Sequence, residues 1–171
     1  ISFRVDLLDV GIVVVALMHF VVALMPEMMF DALALHLHVP AQLAFNHQWG
    51  FDPSLHAMAL IPMLGDWLFS IGHMLAGETG SRLVNLSFSY LLAWQAREIV
   101  LWAGGKESGA KWAALLFLST PLTYAETSSL HIEAIWAVFI VAGIMAVARL
   151  ISSMKIDEKS EIKLSGLMLG F

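Results

Sequence analysis

The 171-residue chain is 59% hydrophobic and only 13% charged, with a mean hydropathy of +0.79, which places it among membrane proteins rather than soluble domains. Its net charge of −5 comes with no basic stripe, which excludes nucleic acid as the expected partner. No cysteine is present, excluding a disulfide framework, a thiolate metal site and a cysteine nucleophile.

The first apolar run, Leu7 to Met25, has the length needed to cross a bilayer, roughly 17–25 residues. Met25-Pro26-Glu27 is a poor cleavage site, so the run reads as a retained span rather than a signal peptide. The stretch Glu27 to Ser81 then contains no Lys or Arg, while it carries Glu27, Asp31, Asp52, Asp66 and Glu78. An acidic, cation-free loop between apolar segments reads as the outer face of a membrane protein. Four further apolar segments follow: Ala57–Ala76, Leu83–Ala103, Trp112–Ala125 and Ile132–Leu150. The tail, Leu164 to Phe171, is apolar but too short to span. It reads as the opening of another span, and the chain, which starts with Ile, as the front of a larger protein.

The cations select a topology. If every long segment spans, Arg97, Lys106, Lys111, Lys155, Lys159 and Lys163 fall opposite Arg4, against the positive-inside bias. If Ala57–Ala76, interrupted by Pro62, Gly65, Asp66, Gly72 and His73, lies at the outer interface, eight of the nine cations share the cytoplasmic side and only Arg82 lies outside. The predicted fold class is therefore all-α integral membrane, with about four spans, interfacial helices in the outer loop 27–81, a charged cytoplasmic linker over 154–163 and the start of a further span. The whole of 1–171 forms one membrane domain in this reading.

Four stretches in this order carry a resemblance. They are Phe30-Asp31-Ala32-Leu33-Ala34-Leu35-His36-Leu37-His38-Val39-Pro40, Pro62-Met63-Leu64-Gly65-Asp66-Trp67-Leu68-Phe69, Ser119-Thr120-Pro121-Leu122 through Glu133, and Ser165-Gly166-Leu167-Met168-Leu169-Gly170-Phe171. Together they resemble the amino-terminal third of a GT-C type membrane glycosyltransferase of the mannosyltransferase-like and aminoarabinose-transferase-like branch. The resemblance implies an inverting transfer of sugar from a polyprenyl-phosphate donor to an acceptor hydroxyl, at the periplasmic face of a bacterial inner membrane. It implies Asp31 as the general base and Glu133 as the second outer acidic residue of catalysis. Asp66, Glu126 and Arg82 are the substrate-binding candidates, Arg82 because it is the one outer cation available to a lipid phosphate. The aminoarabinose branch has a lysine before the proline of the interfacial helix, where this chain has Ile61. The cofactor stays open, a divalent metal being the candidate with no ligands assigned, and the partners implied are the bilayer, the lipid-linked sugar and a larger membrane complex.

Plainer roles compete with these. Asp31 suits a helix cap, and Glu133 suits the first turn of a helix, where the dipole favours a carboxylate. The seven histidines raise an alternative, since neutral imidazole ligates haem iron and other metals. His19, inside the first span, and His73 are the candidates there. His36 and His38, two apart, face different ways on a helix, and no His-x-x-x-His spacing occurs. The alternative function is a non-catalytic GT-C-like scaffold subunit of a larger membrane complex, beside a haem or pigment.

Overall fold

The computed structural model describes residues 5–48 and 63–168, with side chains through residue 154. Arg4, Trp49, Asp52, Ile61, Pro62 and the side chains of Lys155, Lys159 and Lys163 lie outside that set. All regular structure among the described residues is helical.

Helix α1 (Leu7–Ala23) begins at Asp6, whose side chain accepts from the Leu8 and Asp9 amides while the Asp9 carboxylate accepts from the Asp6 amide. This reciprocal cap satisfies N–H groups that a helix start leaves without partners. Lys111 Nζ, 3.0 Å from the Asp6 carboxylate and 2.7 Å from that of Asp9, fastens this end to the start of α4 (Glu107–Ser119). Beyond α1 come a π-helical turn, Ala32–His36, and α2 (His38–Asn46).

Helix α3 (Leu64–Trp102) is two legs joined at a sharp break, because Ala76 and Gly77 leave helical geometry, with Gly77 at φ 63° and ψ −151°. That conformation is essentially open only to glycine. A Cβ on Gly72 would stand 2.6 Å from the Gly80 carbonyl oxygen, so only glycine lets the two legs approach this closely. Ser81 Oγ closes the hairpin by donating to the Phe69 carbonyl at 2.8 Å. The break falls at Ala76, where the sequence reading ends its interfacial segment.

One sequence-based expectation is corrected. Trp112–Ala125, read as one span, is divided into α4 and α5 (Pro121–Thr127) at Thr120, which is extended at φ −72° and ψ 141°. A residue before proline is driven out of helical geometry, and the Thr120 side chain then caps α5 by accepting from the Thr123 amide. The charged stretch 154–163 is helical. α6 (Glu133–Met168) runs through it unbroken, because Lys, Glu, Ile and Ser there include no proline or glycine to stop it. One described stretch, Glu133–Met154, is long and apolar enough to cross a membrane, with a mean hydropathy of 2.3. Leu7–Ala23 is apolar but shorter.

The chain forms two units, Ile1–Val138 and Phe139–Phe171. The second is the remainder of α6, with Phe139, Ile140, Ile144, Val147, Leu150 and Met154 exposed. The first buries polar side chains alongside apolar ones such as Phe69, Leu86, Leu118, Leu130 and Ile135. Its buried residues include His19, Glu27, Asp66, Arg82, Asn85, Gln95, Thr123 and Thr127, while Leu17, Met18, Val21, Leu75, Leu116 and Leu122 are exposed. Several of the buried polar groups bond across helices. Tyr90 Oη donates to the Ala16 carbonyl at 2.5 Å and Gln95 Nε2 to that of Val138 at 3.1 Å, each bond joining separate helices.

Candidate functional site

At one end of the first unit an apolar cluster holds three segments together: buried Ala32, Phe69, Leu130 and Ile135, with Leu37 and Ile132 against them. Each of these residues lies close in sequence to a titratable one. Ala32 follows Asp31, Phe69 is one turn beyond Asp66, and Leu130, Ile132 and Ile135 bracket His131 and Glu133. Burying the apolar set therefore gathers the polar set at its edge. A Cβ on Gly65 would clash with the Ile132 side chain at 2.5 Å, so Gly65 lets the first turn of α3, with Asp66, lie directly on this loop.

His36 is the centre of the arrangement. Its Nδ1 lies 2.8 Å from Asp66 Oδ1, and both side chains are largely buried. Burial alone pulls the imidazole pKa down, but the Asp66 hydrogen bond and the charges of Asp66, Asp31 and Glu133 outweigh it, and the net shift is upward. The π turn contributes here. In an α-helix, residues five apart point roughly 140° away from each other. The bond from the Leu37 amide to the Ala32 carbonyl, 2.7 Å, spans five residues and widens the turn, bringing Asp31 and His36 toward one side. Asp31 itself is exposed and makes no capping hydrogen bond, so the capping role is not realised.

The segment Glu126–Glu133 supplies the remaining groups. Glu126, His131 and Glu133 each present a ligand atom within 4.8 Å of the other two. Glu126 and Glu133 also line a cavity of about 390 Å³, otherwise bordered mainly by apolar or small side chains such as Leu92, Phe117, Leu122 and Ala137.

Beneath this segment lies a buried polar hub. Glu27, 5% exposed, accepts through its carboxylate from the Met28 and Met29 amides, Ser129 Oγ, the Leu130 amide and Arg82 Nη1. Its own amide donates to the Glu78 carboxylate. Asn85 Nδ2 donates to the Glu126 and Ser129 carbonyls at 2.7 and 2.6 Å. The hub fixes the backbone from which Glu126, His131 and Glu133 project.

Of the sequence-predicted residues, Asp66 bonds to His36, the charges of Asp31 and Glu133 act on the same imidazole, and Glu126 lies beside Glu133. Arg82 is placed elsewhere. It is 2% exposed, and its donors go to Glu27 and to the Val22, Ala23 and Ser128 carbonyls. A guanidinium so engaged ties helices together and has little left for a phosphate. His19 is likewise committed, with Nδ1 2.5 Å from Thr127 Oγ1 and Nε2 2.8 Å from the Leu118 carbonyl. Both ring nitrogens are taken, so His19 has no open nitrogen for a cofactor metal. His36 and Glu27 carry the geometry and are not singled out by sequence; no spacing rule links residues 36 and 66, or 27 and 82. His131-x-Glu133 is a local signal that the sequence does contain.

No family model, curated protein or solved structure matches the chain.

Proposed function

We propose that this chain provides the acceptor-activating side of a membrane glycosyltransferase that moves a sugar from a polyprenyl-phosphate donor to a hydroxyl, with inversion. The observation that carries the reading is an exposed, uncapped Asp31 beside the His36–Asp66 pair and Glu133. In this reaction the acceptor oxygen attacks the anomeric carbon, its proton passes to the Asp31 carboxylate, and the bond from that carbon to the phosphate oxygen breaks, releasing lipid phosphate. A hydroxyl is a weak nucleophile, and a positioned carboxylate within hydrogen-bond reach is worth roughly 10²–10⁴ in rate. The His36–Asp66 pair orients the neighbourhood of Asp31, and the cavity bordered by Glu126 and Glu133 gives an apolar donor segment somewhere to lie.

The same reading expects about four spans, with 27–81 outside; among the described residues one stretch, Glu133–Met154, has the length and hydropathy for it. The apolar length of Glu133–Met154 and the many large apolar side chains exposed on the first unit favour that reading. The chain lacks cysteine, so single cysteines at Phe45 and Lys106 report sidedness without background. In oriented vesicles the two sites should label from opposite sides, and labelling from one side removes the four-span plan.

The decisive experiment is Asp31→Asn in the full-length protein, assayed for transfer from a polyprenyl-phosphate sugar in proteoliposomes. Transfer should fall by roughly 10²-fold or more with folding intact. Wild-type turnover in that variant removes the base assignment.

A further inference from the structure

We propose that the cleft between the start of α1, the end of α3 and the start of α4 holds an aminophospholipid of the phosphatidylethanolamine type. Its headgroup lies in the cleft and one acyl chain runs along α1. The cleft, of about 680 Å³, has Val10, Val13 and Val14 on one side and Arg97, Glu107 and Lys111 on the other. That volume lies within the roughly 300–1,000 Å³ of clefts that hold small molecules. The cleft shares no residue with the site around His36 and Asp66.

The charges choose the headgroup. Lys111 Nζ stands 3.0 Å from the Asp6 carboxylate and 2.7 Å from that of Asp9. Arg97 stands 2.5 Å from the Glu98 carboxylate and 2.7 Å from that of Glu107. Each cation therefore lies between two carboxylates, and opposite signs alternate over a short distance. Such a set complements a zwitterion and discriminates against a headgroup of one sign. Hydrogen-bonding capacity points the same way. A guanidinium carries five N–H donors and an ammonium three, of which Arg97 and Lys111 each commit two to these carboxylates. The remainder suit phosphate oxygens. Glu107, its side chain 53% exposed, offers its second carboxylate oxygen to the ammonium.

An apolar stripe on α1 fixes where the acyl chain runs. Val10, Val13, Val14, Leu17 and Val21 follow the three- and four-residue spacing of one helix face, and each is about half exposed. From Val10 to Val21 the helix rises about 16 Å at roughly 1.5 Å per residue. The hydrocarbon of one leaflet is about 15 Å deep, half of a core of roughly 30 Å. A headgroup held by Arg97, Glu107 and Lys111 thus leaves its chain beside the stripe for the depth of a leaflet. This inference rests on the membrane placement in the proposed reading, but not on sugar transfer.

The test uses the full-length protein, delipidated in detergent and titrated with phosphatidylethanolamine, phosphatidylcholine or phosphatidylglycerol of identical acyl chains. Bound lipid is counted by native mass spectrometry. One phosphatidylethanolamine per chain should bind saturably and raise the Tm. Phosphatidylcholine, whose ammonium has no N–H, and phosphatidylglycerol, which is anionic, should each bind roughly tenfold or more weakly, the equivalent of one charge-assisted hydrogen bond. Glu107→Gln removes the partner of the ammonium and Val10→Trp fills the cleft, and each should weaken phosphatidylethanolamine by a similar factor. Both positions are exposed, so both variants keep the fold, which the Tm without lipid checks. Lys106→Gln, at an exposed neighbour outside the cleft, should change nothing. Either other lipid binding as tightly as phosphatidylethanolamine, or phosphatidylethanolamine binding that survives both substitutions, overturns the proposal and leaves only a solvating shell of lipid. No donor or acceptor is needed, so loss of sugar transfer in Asp31→Asn and loss of lipid in Glu107→Gln are separate results.

Discussion

Replacing Arg82 by alanine distinguishes a structural tie from a phosphate-binding cation. Arg82 Nη1 donates to Glu27 Oε2 at 3.0 Å, Nε to the Ala23 carbonyl at 3.1 Å, and Nη2 to the Val22 and Ser128 carbonyls at 3.0 and 2.9 Å. Removing one partner of a buried ion pair is destabilising by about 3–5 kcal/mol. The Ser128 carbonyl loses a donor as well, worth about 1 kcal/mol. Val22 and Ala23 lie in the last turn of α1, where carbonyls lack intrahelical partners in any case. Glu27 keeps four other N–H or O–H donors, which holds the total near the lower end. The expected loss is about 4 kcal/mol, a large part of the 5–15 kcal/mol typical of a folded domain. At about 2–4 °C per kcal/mol the Tm in detergent, followed by circular dichroism, should fall by roughly 8–16 °C. Arg82→Lys keeps the charge but not the fork of donors, and should lose about half as much. The double replacement of Glu27 and Arg82 by methionine removes both buried charges but also the acceptor of the buried Leu130 amide and Ser129 hydroxyl, so it should recover only part of the loss. An unchanged Tm for Arg82→Ala would refute this reasoning. If sugar transfer vanished in that same variant, Arg82 would regain its place as the outer cation for phosphate.

Other outcomes follow from single contacts. The His36 pKa is raised in the folded protein above its ordinary 6.5, so the ion pair with Asp66 contributes stability that is fully present below pH 6.5 and is lost as pH rises through the folded value. Asp66→Asn should abolish that slope and lower the His36 pKa, read by NMR titration of the imidazole; an unmoved titration denies the pair. Gly77→Ala should destabilise by about 1–3 kcal/mol although nothing lies within 4 Å of its Cβ, because the backbone conformation itself is at fault. Gly72→Ala should lose about as much by overpacking against the Gly80 carbonyl, and should open the α3 hairpin, seen as faster exchange of amides near Gly80. Equal stability of both variants to wild type would show that the break is not held by these glycines. His19→Leu should lower stability by about 1–3 kcal/mol through its two lost hydrogen bonds and change no visible absorption. A band that disappears with His19 would instead establish the pigment alternative.

The residues that make up the candidate site were partly legible in the chain. Asp31 and Glu133 stand out as outer carboxylates once the cations are assigned to one side, and Asp66 marks the start of a helix interrupted by glycines. Their convergence was not legible, because it depends on an apolar cluster whose members, Ala32, Phe69, Leu130 and Ile135, look like any other apolar residues in a chain so rich in them. Arg82 shows the opposite failure. Its charge and position suggested an outer cation, and only the folded backbone reveals four acceptors around it.

What the amino-acid sequence determined by itself is local or compositional. Helical structure throughout the described residues, the N-terminal cap at Asp6-x-x-Asp9, and the divisions at Thr120-Pro121 and Ala76-Gly77 follow from propensity, capping chemistry and the steric limits of proline and glycine. Hydropathy alone makes Trp112–Ala125 continuous and is blind to the cap at Asp6 and the break at Ala76-Gly77, which only capping and steric rules mark. What tertiary structure decided is pairing across distance. Which carboxylate meets Arg82, which imidazole meets Asp66, and whether His19 is open or occupied depend on helices tens of residues apart being brought within about 3 Å, the reach of a hydrogen bond. A one-dimensional pattern records the presence of donors and acceptors but not which of them fold against each other.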